Sequence, residues 1–193
     1  MTEHRDDPVR ARTRTVNRLH ALLAHLVPAG VARQLTADTA AAALRTVRPR
    51  AVLARTLRAL AVELLTELRR LDRRIANATD IVAAAVAASA TTLTDLYGIG
   101  ELLAAKILSR TGAIARFRSP AAFASFAGVA PIEVSSGDVK RHRLSRAGDR
   151  QLNYALHVMA ITQIRRDTAG RIYHQGRRTA GKSHKEALRC LKR

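Results

Sequence analysis

From Ala51 to about Ser89 the chain contains no Pro and no Gly, while Leu53, Leu57, Leu60, Leu64, Leu68, Leu71 and Ile75 recur at intervals of four, three, four, four, three and four. That run predicts one long amphipathic helix, because residues three and four apart share a face of a 3.6-residue turn. The stripe is almost a coiled-coil seam, broken by one extra residue at the four-four step and continued weakly by Val82 and Val86. Glu63, Glu67 and Asp72 alternate with Arg69, Arg70, Arg73 and Arg74 on the outer faces. Such a stripe can pack inside its own chain or against a second copy, and the spacing favours neither.

The segments on either side also read as helices. Asp7-Pro8 predicts an N-cap followed by proline in the first turn, with Val16, Leu19, Leu23 and Leu26 on one face and Pro28-Ala29-Gly30 ending the helix at about residue 27. Thr36 and Asp38 are placed to cap a short Ala-rich helix to about Val47, which Arg48-Pro49-Arg50 ends. Aromatic residues make up 3% of the chain and Trp is absent, so Leu, Val and Ala must build the core, which suits helices better than sheets. The expected fold is mainly α: a helical linker over residues 1–50, a long coiled-coil-like helix over 51–90, and then a compact helical domain over 91–178 with a basic tail over 179–193.

Within that domain, Leu96-Tyr97-Gly98-Ile99-Gly100 sets two glycines between helical patterns, a helix-hairpin-helix signature. The glycines let the backbone turn sharply, and the following helix opens with unpaired N–H groups able to hold a phosphate; Lys106, about two turns in, would add charge. The same pattern also serves plain helix packing. Ser119-Pro120 predicts a helix to about Ala127 with Phe123 and Phe126 anchoring the core, and Arg150 to Arg166 predicts another, carrying Leu152, Leu156, Met159 and Ile164. Between them residues 129–145 form an irregular or short β segment. The last helical pattern stops at Cys190-Leu191-Lys192-Arg193 without a capping residue, which reads as a truncated terminus.

Charge narrows the partners. With 34 Lys+Arg against 15 Asp+Glu the net charge is +19, and the sequence pI is near 11.7. A surface of this kind attracts polyanions through counterion release, so nucleic acid is the expected partner. Arg supplies 29 of the 34 cations, and in the first half of the chain codon bias on solvated helix faces is a competing explanation. It serves less well beyond Gly137, where 15 basic residues face 4 acidic ones.

Cys190 is the single cysteine, which excludes an intrachain disulfide or a Cys-based zinc site, and the seven histidines show no ligand spacing, so no metal site is expected. No eighteen apolar residues run together and the N-terminus lacks the apolar core of a signal peptide. A soluble chain in a reducing cytoplasm, without membrane contact, is expected.

One constellation places a nucleophile among cations: Ser135-Ser136-Gly137 followed by Lys140, Arg141, His142, Arg143 and Arg146, with Arg150 beyond. A serine hydroxyl needs a base, a metal or a strong positive field to attack phosphorus, and arginines can supply that field by gripping non-bridging oxygens bidentately. His142 is the nearby group able to carry a proton. Read as a turn, the same tripeptide carries no chemistry.

From Leu93 to about Arg165 the sequence resembles the C-terminal transposase domain of the bridge-RNA-guided insertion-sequence transposases, insertion-sequence family 110. The likeness rests, in order, on Leu96-Tyr97-Gly98-Ile99-Gly100, Ile114-Ala115-Arg116-Phe117, Phe126-Ala127-Gly128-Val129-Ala130-Pro131, Ser135-Ser136-Gly137 and Leu144-Ser145-Arg146-Ala147-Gly148-Asp149. Residues 8–90 are similar to that family's helical linker and coiled coil. The resemblance implies that Ser136, the serine before the glycine, attacks a DNA phosphate to form a phosphoserine link, with Ser135 the alternative. It implies DNA binding by Gly98, Gly100, Lys106, Lys140, Arg141, His142, Arg143, Arg146 and Arg150, a structured guide RNA, a homo-oligomer through residues 51–89, and a bacterial, nucleoid-associated location. The family also has an N-terminal RuvC-like domain whose carboxylates bind magnesium. This chain opens in the linker, so it is expected to be a fragment without a cofactor of its own and inactive alone, with magnesium belonging to the domain it lacks. A non-catalytic helix-hairpin-helix module or an oligomerisation fragment is the alternative.

Overall fold

The structure is a computed structural model that describes residues 2–136, 139–144 and 147–193, with only the backbone described for residues 2, 3, 135, 136 and 139–144. The described residues are mainly α-helical: α1 (Thr2–Leu26), α2 (Ala37–Thr46), α3 (Val52–Ala88), α4 (Glu101–Thr111), α5 (Pro120–Phe126), α6 (Arg150–Ile164), α7 (Ala169–Thr179) and α8 (His184–Lys192). Two strands, β1 (Pro131–Ser136) and β2 (Val139–Leu144), pair antiparallel between α5 and α6. The chain separates into two compact units, residues 1–81 and 82–193, and the division falls within α3.

In the first unit Leu19 and Leu23 of α1, Ala40 and Leu44 of α2, and Ala61, Leu65 and Leu68 of α3 form one buried cluster. The helix expected over 8–27 starts instead at Thr2, with Pro8 inside it and buried. A proline costs its own N–H and crowds the carbonyl four residues back. Side-chain bonds to α3 offset this loss: Arg5 Nε donates to Thr79 Oγ1 at 2.9 Å, and Arg12 pairs with Asp72. The α2 cap is as expected, with Thr36 and Thr39 in a reciprocal capping box.

The leucine stripe of α3 is divided. Leu68 and Leu71 are buried, whereas Leu53 is 70% and Leu60 44% exposed. The change comes at the four-four step: the Leu53-Leu57-Leu60 row before it is not buried, and burial begins with Ala61, Leu65 and Leu68. A straight helix drifts relative to a seven-residue repeat, so one extra residue suffices to turn the row away from α1 and α2.

In the second unit Val82 and Val86 of α3, Ile99, Ala104 and Ile107 around α4, Ala124 of α5 and Leu152, Ala155 and Leu156 of α6 make up the core. The phenylalanines sit at its margin, partly buried, with the Phe117 ring 5.3 Å from Phe123 and 5.2 Å from Phe126. The Arg116 guanidinium lies 4.6 Å from the Phe117 and Phe126 ring centres, a cation–π cover over their outer faces. At the C-terminus α8 buries Ala187 and Leu188, and Ser183 and Glu186 cap it reciprocally. Helix α8 therefore packs against its neighbours through an apolar face.

Candidate functional site

The β1–β2 hairpin is held at its base by two glycines that no other residue could replace without displacement. Gly128 has φ +65° and Gly148 φ +104°. A Cβ on Gly148 would lie 2.6 Å from the Gly128 nitrogen and 2.8 Å from the Phe126 carbonyl oxygen, and one on Gly128 would lie 2.7 Å from the Ala147 oxygen. The chain that enters β1 thus touches, backbone to backbone, the chain that leaves β2. The Asp149 N–H donates to the Phe126 carbonyl at 2.8 Å, and Asn153 Nδ2 donates to the Ala127 and Gly128 carbonyls at 3.0 and 2.9 Å. Asp149 also caps α6, accepting from the Leu152 N–H at 2.8 Å, while its other oxygen meets Arg110 Nε at 2.9 Å.

Pairing runs from Pro131 opposite Leu144 through Val134 opposite Arg141 and Ser135 opposite Lys140 to Ser136 opposite Val139. Cross-strand partners share a face and alternate residues return to it, so the Ser136 position shares its face with positions 141 and 143, and the Ser135 position with 140 and 142. The side chains of Ser135, Ser136, Lys140, Arg141, His142 and Arg143 lie outside the described residues, as does Arg146 entirely. Ile132, Glu133 and Val134 near the hairpin base are exposed.

Beside the glycine contact is a cavity of about 710 Å³. Arg150, Asn153, Tyr154 and His157 line it from a single face of α6, and Lys192 enters from α8, its Nζ donating to Asn153 Oδ1 at 2.6 Å. Partial burial lowers the pKa of His157, and the Lys192 charge lowers it further. Burial, and then Arg189, lowers that of Lys192. Among the described residues no carboxylate is paired with Lys192, and Asp149, which also lines the cavity, is already engaged by Arg110 and the Leu152 N–H. The cavity is therefore electropositive.

Of the expected binding residues, Arg150 lines this cavity and Lys106 stands near it, half-buried on α4 with its ammonium 5.8 Å from the Tyr154 ring centre. The glycine pair has a different setting. Gly98, at φ +91°, lies so close to α6 that a Cβ would meet the Met159 carbonyl oxygen at 3.1 Å and Thr162 Cβ at 3.2 Å, and Gln163 Nε2 donates to the Tyr97 carbonyl at 3.0 Å. Ahead of it the chain makes a single 3₁₀ turn, Leu93–Asp95, and Gly100 then caps α4 with open space beside it. Glu101 occupies the first position of α4, where its carboxylate already complements the helix dipole. Tyr154, His157, Asn153 and Lys192 escaped the sequence reading, although residues 150, 153, 154 and 157 form a polar stripe at helical spacing in a helix whose remaining residues are mostly apolar.

Residues 90–175 match the family described as Transposase IS116/IS110/IS902. The chain is 37% identical over 102 residues to the insertion element IS110 uncharacterized 43.6 kDa protein of Streptomyces coelicolor, covering 52% of this chain and 25% of that protein. It is also 37% identical over 98 residues to the insertion element IS900 uncharacterized 42 kDa protein of Mycobacterium paratuberculosis, covering 50% and 25%. Residues 90–175 belong to the IS116/IS110/IS902 transposase family. The chain spans about a quarter of the length of these relatives. The transposase domain holds the hairpin, its glycine anchor and the α6 side of the cavity, while Lys192 lies beyond it. Among the described residues no group of three or more His, Cys, Asp or Glu comes together as a metal site, and no helix is long and apolar enough to cross a membrane.

Proposed function

We propose that this chain supplies the serine nucleophile of a DNA transposase. The Ser136 hydroxyl attacks a phosphodiester, forming an Oγ–P bond as one P–O ester bond breaks. The Ser136 proton passes to a base and the severed strand takes up a proton as it departs as an alcohol; His142, the histidine nearest in sequence, holds a position on the Ser135 face of the ladder and so would serve Ser135 rather than Ser136. The hydroxyl of a second strand then displaces Oγ from phosphorus, joining the strands and restoring the serine. Arg141 and Arg143 share the Ser136 face of the ladder and would balance the charge that builds on the non-bridging oxygens. The observation that carries the reading is the hairpin itself: a short pair of strands, locked at its base by Gly128 on Gly148, that ends on Ser136 and interleaves it with cations.

The described carboxylates form no cluster that would hold magnesium, so no step of this proposal runs through a metal. We assign that ion to a carboxylate domain acting with this chain, without which the chain is inactive. A structured RNA partner and a place at the bacterial nucleoid rest on the family alone. The exposed Val52, Leu53 and Leu60 of α3 support an additional contact with a second copy.

The test is covalent trapping on a nicked DNA substrate, with and without a separately expressed carboxylate domain. Ser136→Ala should abolish the protein–DNA adduct and Ser135→Ala should retain it. Equal adduct from wild type and both variants would leave no nucleophile at this hairpin. The second reading, a binding module without chemistry, is favoured by the electropositive cavity and predicts affinity that falls steeply with salt and ignores Ser136.

A further inference from the structure

We propose that the cavity beside the start of α6 seats one nucleotide of a single DNA strand, with its base on the Tyr154 ring and its phosphate among Arg150, His157 and Lys192. The choice of DNA rests on the reading of the hairpin as a strand-cleaving element; the seat itself rests on the cavity. Its volume of about 710 Å³ lies within the range of small-ligand sites and admits a nucleotide but no duplex.

Its chemistry is divided as a nucleotide is. The Tyr154 ring is 56% exposed and offers a stacking face. Arg150 and His157 stand three or four residues to either side of Tyr154, on the same face of α6. Lys192 faces them from α8, and Asn153 fixes its ammonium through a neutral amide oxygen, which orients the charge without cancelling it. A phosphate would provide the missing counter-charge. An aromatic platform flanked by cations is the general means of holding an unpaired base and its backbone. The cavity shares Gly128, Gly148 and Asp149 with the hairpin anchor, so a strand seated here is held at the root of the element that bears Ser136.

The test is fluorescence anisotropy of the full chain with a labelled twelve-nucleotide oligothymidylate over a range of salt. Tyr154→Leu should weaken binding about fivefold or more, as expected for loss of one base stack, and Tyr154→Phe should restore it to within about twofold of wild type. Arg150→Gln and Lys192→Gln should each reduce the slope of log affinity against log salt by about 0.7. In the wild type, an abasic strand of equal length should bind as weakly as oligothymidylate binds Tyr154→Leu. Three results would overturn the proposal: Tyr154→Leu within about twofold of wild type, an abasic strand bound as tightly as oligothymidylate, or a duplex of the same length bound more tightly than the single strand. The two readings fail separately: an adduct that survives Ser136→Ala while Tyr154-dependent binding holds defeats only the nucleophile, and a Ser136-dependent adduct without Tyr154-dependent binding defeats only the seat.

Discussion

In residues 1–81 the core is leucine and alanine, from three helices and from Leu35 in the connection between α1 and α2, with Leu19, Leu23 and Leu68 fully enclosed. At the root of the hairpin, by contrast, backbone meets backbone: Gly148 lies on Gly128, and Asn153 and Asp149 bond carbonyls of the opposing segment. The first region depends on apolar volume, which a core can lose in part and still collapse around. The second depends on the absence of two side chains, for which there is no partial substitute. Between Gly148 and Gly128 there is no side chain whose rotamer could change, so under the proposed serine chemistry this contact favours one fixed placement of the hairpin.

The sharpest way to break that contrast is to compare Gly148→Ala with Leu68→Ala. The added carbon would sit 2.6 Å from one backbone atom and 2.8 Å from two others, at φ +104° where an L residue is itself strained. Neither obstacle can swing aside, so about 3 kcal/mol or more should be lost, all of it from the second unit. Leu68→Ala should cost about 2–5 kcal/mol from the first unit. Hydrogen exchange on each variant reads the two units separately; protection lost uniformly from both units in both variants would show that the contrast is not real.

These two regions also differ in what their sequences disclose. The helices are legible because burial is periodic: the α1 leucines, the α2 cap and the span of α3 follow from spacing and from Thr36. Pro8 misleads because its cost is local, while the bonds from Arg5 and Arg12 that offset it join residues 60 and 74 positions apart. The glycines of Gly128-Val129-Ala130-Pro131 and Ala147-Gly148-Asp149 stand out in the sequence as motifs, but that they touch each other is a tertiary fact. The cavity was hidden for a similar reason: Arg150 belongs to a visible basic run, whereas Lys192 reaches Asn153 only once α8 has packed.

A smaller effect should appear in the titration of the cavity. His157 has a lowered pKa in the folded chain, from burial first and Lys192 second, so the unfolded chain takes up its proton at a higher pH. Stability from this group is therefore fully present above the unfolded value near 6.5 and declines as pH falls below it, until the folded pKa is passed. Lys192, also lowered, contributes the same sign in the alkaline range below 10.5. Following the His157 ring by NMR, Lys192→Gln should move its pKa upward toward 6.5. An unmoved or further lowered value would remove Lys192 from the electrostatics of the cavity.

The smallest effect on stability, and the one that divides α3 itself, belongs to the double variant Leu53→Gln with Leu60→Gln. Both side chains are exposed in the single chain, so their polar replacement should change its stability by no more than about 0.5 kcal/mol, against about 2–5 kcal/mol for Leu68→Ala on the buried part of the same helix. If the exposed row serves a second copy, the same double variant should lower the mass measured by light scattering at equal concentration. A leucine row that packs only against solvent gains nothing from heptad spacing, whereas one that meets its own copy must keep the four-three interval until an intrachain partner takes over. That takeover is where the four-four step falls in α3, between Leu60 and Leu68. An unchanged mass would leave the spacing of Leu53, Leu57 and Leu60 without a function and would confine the leucine stripe to the core it forms with α1 and α2.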